Sequence, residues 1–454
     1  MDFFRGSFAP AWYRAGMSVL QRRLNVFDLT LITIGSIIGS GIFKNPALVA
    51  GKAHLPSVAI ACWIVGGLLA LIGAFVFAEL AERRPANGGI YAYLRDAYHP
   101  VVAFVFGWTL LLIADTGGTA AASVLFATYL TPLTGLPFDT HIVAVVTLAV
   151  LVAINCLGVR QGGTWQNVLV IAKVAAIAGL IGAGLFAHPT AGAAAALPGF
   201  DSNTALLGAF GLAMLPVLFA YNGFQGATYI TGETINPERT IPRGLILGVF
   251  AVIAIYVLVN VGCLRVLGPA GLAASSVPAA DVMSAAVGPI GARLIAIAIA
   301  LSTLGFMSTR MLVTPRIYFQ MAADGTFFKQ IAWINPKTHV PTIAIIAEGA
   351  VAAIIAWSGT FAQIVNWITA PEWIFVVLAA GAIFIFRKRD GDAVKPAFQV
   401  PLHPFSTILL MLVLLAIFFT EVVLVPRDTL YGTLVIVAGI IFYFAWKRFV
   451  PSSA

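Results

Sequence analysis

The chain has 454 residues, of which 60% are hydrophobic and only 10% are charged, and its net charge is +8. Its mean hydropathy is +0.97. A soluble domain carries about 25% charged residues, so the composition excludes a soluble enzyme and predicts an integral membrane protein. The positive charge is concentrated in the loops on one side of the predicted membrane spans, and it therefore does not indicate nucleic-acid binding.

Long apolar runs recur along the whole chain, and each is long enough to cross ~30 Å of hydrocarbon. If the N-terminus lies inside, 20 of the 26 Lys and Arg fall on the inner side. This asymmetry predicts a multi-pass protein of the inner (plasma) membrane with both termini in the cytoplasm. The sequence predicts about twelve spans, near 28–51, 56–80, 98–132, 141–159, 166–187, 206–232, 243–267, 281–310, 340–358, 361–386, 404–425 and 428–448.

The first span is interrupted at its centre. Gly35, Gly39 and Gly41 alternate there with Ser36 and Ser40. Each glycine costs about 1 kcal/mol relative to alanine inside a helix. A break at this depth is tolerated only where it faces protein or a water-filled cavity. The pattern predicts exposed backbone groups that hold a ligand, although glycine also serves helix packing in membranes.

A second interrupted span lies at 206–232, where Pro216 is followed by the run 222–226, NGFQG. The two interrupted spans are the first and the sixth, so the same position recurs in two five-helix units of opposite orientation. Paired interruptions of this kind point to an inverted-repeat transporter with its site at mid-membrane. We predict one transmembrane domain over 1–454, with repeats at about 28–187 and 206–386 and two extra helices at about 404–448.

No catalytic or metal-binding pattern is visible. The three cysteines, Cys62, Cys156 and Cys263, fall within predicted spans and lack metal-ligand spacing. The short outer loops contain no cysteine, so we expect neither a disulfide-linked partner subunit nor a cofactor. A channel would need rings of polar or charged residues along a pore, and the sequence shows none.

Five motifs follow one another along the chain: GSIIGSGIF (35–43), FAELAERRPANGGIYAYLRDAY (77–98), NCLGVRQGGTWQNVLVIAK (155–173), FAYNGFQGATYITGETINPERTIPRG (219–244) and TPRIYFQMAADG (314–325). In the same order, they resemble the amino acid–polyamine–organocation (APC) superfamily, and most closely the L-type amino acid transporters and their bacterial relatives. One departure is that Asn222 and Phe224 stand where the family often has a glycine and a tryptophan.

The resemblance implies the LeuT-like fold, an all-α membrane protein with a 5+5 inverted repeat and broken helices 1 and 6. It also implies an amino acid substrate, whose carboxylate is bound near Ser40 and Gly41. Half-helix ends suit this task, because free N–H groups and the helix dipole favour an anion. The ammonium is expected on the carbonyls of Ile37, Phe219 and Asn222, with Ser36 and Gly39 beside them.

Phe219 also resembles the aromatic gate of the family, which covers the substrate. The alternative is an ordinary lipid-facing or core phenylalanine. Its place beside the second break favours the gate.

Lys173 lies inside an apolar span, where a lysine costs about 2.5–3.5 kcal/mol or more. It could snorkel to the inner interface. A family lysine matches this position and implies a fixed cation at the first break, hence transport without sodium. Because a buried lysine can release its proton, proton coupling through Lys173 stays open.

Asp115 is a second charge inside a span, and it could pair with a cation, line the path or relay protons. Glu79 and Glu82 lie among arginines at a helix end and are expected to form structural salt bridges.

The sequence thus predicts a sodium-independent amino acid exchanger or facilitator that works by alternating access. Neutral L-amino acids are favoured, since no charged partner for the side chain is evident. A proton-coupled symporter of the same fold is the alternative.

Overall fold

The computed structural model describes residues 20–449, except 136, 191–192, 194–196, 198, 200–201, 360, 392–395 and 425. The described part is helical, and its one β-bridge joins Leu24 to Thr234. Its first nine α-helices are α1 (Val26–Ile37), α2 (Gly41–Ala53), α3 (Pro56–Arg83), α4 (Ile90–Ala97), α5 (Pro100–Thr109), α6 (Asp115–Thr134), α7 (Thr140–Cys156), α8 (Val159–Phe186) and α9 (Asn203–Tyr221).

The second part of the chain starts after a 3₁₀ segment, Gly226–Glu233, and contains eight more helices. They are α10 (Pro237–Ala274), α11 (Pro278–Val287), α12 (Ile290–Val313), α13 (Pro315–Ala323), α14 (Thr342–Ser358), α15 (Phe361–Asp390), α16 (Phe405–Leu424) and α17 (Pro426–Phe449).

Among the described residues, seven helical segments are long and apolar enough to cross a membrane, or eight if the bent pair α1–α2 is one span. Two shorter apolar helices, α7 and α14, accompany them. The all-α membrane class is therefore confirmed. The count of twelve spans, the two repeats and the LeuT-like arrangement stay predictions, and the N-terminal residues 1–19 lie outside the described part.

The first break has the predicted position. Helix α1 ends at Ile37, α2 begins at Gly41, and the two axes differ by 50°. Asn25 fixes the start of α1, because its side chain accepts from the N–H groups of Phe27 and Asp28, and Asp28 accepts in return from the Asn25 N–H. This reciprocal cap sets where the helix starts.

The second break follows Tyr221. Asn222 is extended, with φ −62° and ψ 148°, and Gly223 has φ +106°. That φ is open to glycine and strained for a residue with a Cβ. The chain then continues as the 3₁₀ segment, so the sixth predicted span is two shorter pieces.

Two other spans differ from the prediction. The long third span contains a π-helical turn at Leu110–Ala114, directly before Asp115. The eighth span, drawn over 281–310, is wrong as a single helix, because Gly288 with φ +73° separates α11 from α12. Its apparent length came from two helices read as one.

The residues just before α1 are hydrogen-bonded to the end of the 3₁₀ segment that follows the second break. The backbone N–H groups of Arg23 and Leu24 both donate to the Glu233 carbonyl, at 2.8 and 3.0 Å. The fully buried Glu233 carboxylate receives Arg316 Nε and Nη2 at 2.9–3.0 Å. The start of α1 and the exit of the second break are therefore held together.

A second ion network joins the end of α3 to α15. Glu79 accepts from Arg83 at 2.9 Å and from Arg387 at 2.6 Å, and also from the Val400 N–H. The Glu82 carboxylate accepts from the Phe398 N–H. The structure thus gives Glu79 the expected salt-bridge role, whereas Glu82 binds a backbone N–H.

Candidate functional site

The two breaks touch each other. A Cβ added to Gly223 would overlap the Ser36 carbonyl, and one added to Gly226 would lie 2.6 Å from Ser36 Oγ. The Ser36 hydroxyl is buried and has no hydrogen-bond partner in the described part of the chain. Only glycine permits this approach, so the breaks form one site with backbone from both helices.

Lys173 supplies the positive charge of this site. It is fully buried on α8, and its Nζ donates to the Ile38 carbonyl at 2.6 Å and to the Gly35 carbonyl at 3.4 Å. These carbonyls lie at the C-terminal end of α1, which carries partial negative charge. The side chain therefore points into the first break, which excludes the snorkelling alternative.

Other side chains bind further carbonyls of the breaks. Tyr256 Oη on α10 lies 3.1 Å from the Ala220 carbonyl and 3.4 Å from the Ile37 carbonyl, so one hydroxyl spans both broken helices. Ser302 donates to the Gly39 carbonyl at 3.3 Å. In hydrocarbon each unpaired carbonyl costs several kcal/mol, and these contacts remove that cost.

Helices α2 and α9 are also joined by hydrogen bonds. Asn45 Nδ2 donates to the Pro216 carbonyl at 2.8 Å. Lys52 Nζ lies 3.4 Å from the Leu212 carbonyl, which Pro216 leaves unpaired because proline has no N–H. Side chains of α2 thus donate to backbone carbonyls of α9 around Pro216.

The predicted substrate residues differ in accessibility. Ser36 and Ile37 are buried, whereas the next three predicted residues of the break, Gly39, Ser40 and Gly41, are half-buried. The Ser40 side chain makes no capping bond to α2. The first break therefore presents its accessible surface at the start of α2, where the carboxylate is expected.

On the second break, Asn222 is half-buried and Phe219 leaves 38% of its side chain exposed. The exposed ring directly precedes the break, as a gate requires, but exposure alone suits a lipid-facing ring equally. The gate role of Phe219 stays a prediction.

Asp115 is half of a buried ion pair. Its Oδ1 receives Arg310 Nη1 at 2.6 Å, and the two side chains are 3% and 9% exposed. Arg310 lies within α12, one turn before its end. Arg310 also lies over the ring of Phe306, which in turn lies beside Gly39. The first of the three roles considered for Asp115, pairing with a cation, is the one that the structure shows.

Two glutamates, Glu348 and Glu372, could not be assigned a role from the sequence alone. Glu372 on α15 accepts from Asn222 Nδ2 at 3.0 Å and from Gln225 Nε2 at 3.3 Å. Glu348 on α14 is fully buried, and neither carboxylate oxygen has a hydrogen-bond partner among the described residues. A glutamate inside an apolar run was the available signal, but its partners lie far away in sequence.

Two helix breaks in contact inside the membrane, with a buried lysine on their carbonyls, are the arrangement expected of a membrane transporter. Comparison with protein families gives the particular family. Residues 24–443 match the amino acid permease family. The chain belongs to this family, which is part of the APC superfamily, and is therefore a transporter and not an enzyme.

Characterised relatives cover most of the chain. It is 31% identical over 388 residues to the serine/threonine exchanger SteT of Bacillus subtilis, covering 85% of this chain and 87% of the relative. It is 29% identical over 431 residues to the mouse b(0,+)-type amino acid transporter 1, covering 94% and 88%. It is 27% identical to the rabbit large neutral amino acids transporter small subunit 2, covering 86% and 74%.

Replacing Lys173 by alanine should lower amino acid uptake at least about tenfold, while the protein still inserts. The reason is the loss of hydrogen bonds from a charged donor, worth about 1.5–3 kcal/mol each. Uptake in proteoliposomes, normalised to reconstituted protein, measures the effect. Lys388→Ala, on an exposed lysine, is the control and should transport normally. Wild-type uptake in Lys173→Ala would contradict the role given to the lysine.

Gly223→Ala should abolish transport, because the added Cβ meets the Ser36 carbonyl and the residue must keep φ +106°. Gly211→Ala, in helix α9 that leads into the break, meets nothing within 4 Å and should behave as wild type. Uptake and melting temperature in detergent should be recorded for both variants. Equal behaviour of the two would show that the breaks do not touch.

Asp115→Asn should lower stability by about 3–5 kcal/mol, since it leaves Arg310 buried without its counter-charge. The double variant Asp115→Asn/Arg310→Gln should lose less than the sum of the two single variants. Thermal unfolding of the purified protein gives the coupling. Asp324→Asn, whose partner Arg95 is 26% exposed, is the control and should lose less, since exposed pairs contribute about 0–1 kcal/mol. Additive losses would argue against a coupled pair.

Proposed function

We propose that this protein is a sodium-independent amino acid exchanger that works by alternating access. The observation that carries the proposal is the Lys173 ammonium on the carbonyls of Ile38 and Gly35. A small cation bound at the end of α1 would need these same oxygen atoms. Because a side-chain cation already occupies them, binding of substrate does not require a metal ion there.

The zwitterionic part of an amino acid fits the two breaks. Its carboxylate is bound by N–H groups at the start of α2, at Ser40 and Gly41, where the helix dipole is positive. Its ammonium is bound by carbonyls of Ile37, Phe219 and Asn222. Ile37 keeps acceptor capacity for this role, since a carbonyl oxygen has two lone pairs and Tyr256 approaches it only to 3.4 Å.

Exchange is favoured over facilitated diffusion by the similarity to SteT, a serine/threonine exchanger. The sequence alone favours neutral substrates, and the relatives include a carrier of large neutral amino acids. That preference rested on the lack of a charged partner for the substrate side chain, and Glu372 beside Asn222 supplies one.

The place of the protein in the cell follows from the same proposal. We propose a multi-pass protein of the plasma membrane with both termini in the cytoplasm. We also propose that no disulfide-linked partner is needed, because Cys62 and Cys263 are buried and Cys156 is half-buried. The rabbit relative is by its name one subunit of a transporter.

A proton-coupled symporter is the second candidate. Glu348 favours it, since a fully buried carboxylate without hydrogen-bond partners in the described part of the chain is a candidate proton carrier. Lys173 is a second candidate proton carrier, because its burial disfavours the charged form of the amine. The two candidates differ in what drives uptake.

Proteoliposomes distinguish them. Uptake of radiolabelled amino acid should depend on unlabelled amino acid inside the vesicles and stay the same when sodium is replaced by choline. Uptake into empty vesicles driven by a pH gradient alone would instead support the symporter. A requirement for sodium would refute the proposal, and a thermal-shift screen of the twenty amino acids selects the substrate to use.

A further inference from the structure

Glu372 places a carboxylate directly against the second break. Its Oε2 accepts from Asn222 Nδ2 at 3.0 Å and its Oε1 from Gln225 Nε2 at 3.3 Å. Asn222 is also the residue whose carbonyl is proposed to bind the substrate ammonium. The carboxylate is thus within one side-chain length of the expected position of the substrate.

Within the described part of the chain, this carboxylate has no cation of its own. Among the described residues, no lysine, arginine or histidine forms a salt bridge with Glu372. Arg310 is the basic residue with the largest electrostatic effect on it, but Arg310 is paired with Asp115 at 2.6 Å. A charged group inside a membrane protein normally has a partner or lines a pathway.

The surroundings of Glu372 are rich in acceptors. Gln225 is 1% exposed, and its Oε1 is buried without a partner in the described part of the chain. The carbonyl end of α9, which stops at Tyr221, adds partial negative charge beside Asn222. A ligand group that completes this cluster must be a donor and must carry positive charge. Guanidinium and ammonium groups are donors only and meet both conditions.

We propose that Glu372, with Gln225, forms the subsite for the substrate side chain and selects cationic L-amino acids. This rests on the proposed function, since the α-amino and α-carboxyl groups are held by the helix breaks as described. The carboxylate then provides the counter-charge for the side-chain cation, and Gln225 Oε1 accepts one of its hydrogen bonds. Neutral amino acids bind the same breaks without this contribution.

The competing explanation is structural: Glu372 only orders the side chain of Asn222. A glutamine would serve that purpose nearly as well, because its oxygen accepts a hydrogen bond and its volume is similar. Glu372→Gln therefore separates the two explanations, since it removes the charge and keeps an acceptor.

The experiment is counterflow into proteoliposomes with radiolabelled L-arginine, L-lysine, L-leucine and L-serine. The wild type should transport arginine and lysine. In Glu372→Gln their kcat/KM should fall at least about tenfold, as for loss of one partner of a buried charge pair. Values for any transported neutral amino acid should change less than about twofold. The control is Glu421→Gln, on a glutamate of α16 that accepts from Trp373 Nε1 at 3.4 Å, and it should keep the arginine preference.

Three outcomes would overturn the inference. The wild type transports neutral amino acids while arginine and lysine neither enter nor compete, in which case the proposed function stands without it. Glu372→Gln lowers cationic and neutral uptake equally, which shows a structural role. Glu372→Gln abolishes stimulation by a pH gradient but keeps the preference for arginine, which makes Glu372 a proton carrier. Failure of all four amino acids to exchange would count against the proposed function as well.

Discussion

Backbone carbonyls released by helix breaks need donors inside the membrane, and this requirement organises the centre of the protein. An unpaired carbonyl in hydrocarbon costs several kcal/mol. Lys173 binds the carbonyl of Ile38, Tyr256 binds that of Ala220, and Ser302 binds that of Gly39. These donors come from α8, α10 and α12, so three helices fix the geometry of the site. Tyr256 and Ser302, which the sequence does not mark as site residues, are thus positioned by the need to pair backbone carbonyls.

The local features of the chain could be predicted from its sequence, because they depend on near neighbours. Clustered glycines inside an apolar span predict an interruption of the helix. They occur at 35, 39 and 41 and in the run 222–226, and the structure has a break at both places. The division at Gly288 was missed, since hydropathy does not register a single positive φ inside an apolar run.

Long-range pairing could not be predicted in the same way. Arg310 and Asp115 are 195 positions apart, and Glu372 and Asn222 are 150 apart. Only the packing of α6 against α12, and of α15 against the second break, brings them together. An arginine at the end of an apolar run resembles an interfacial anchor, and only the buried contact with Asp115 shows that Arg310 is not one.

The charges near the site fall into two kinds, and this division bears on specificity. Asp115 and Arg310 neutralise each other, and Lys173 is engaged by carbonyls. Glu372 has hydrogen bonds but no salt bridge among the described residues. A backbone site binds the part that all amino acids share, so it cannot distinguish their side chains. Discrimination must come from side chains next to the breaks, and a carboxylate without its own cation would favour a substrate that brings one.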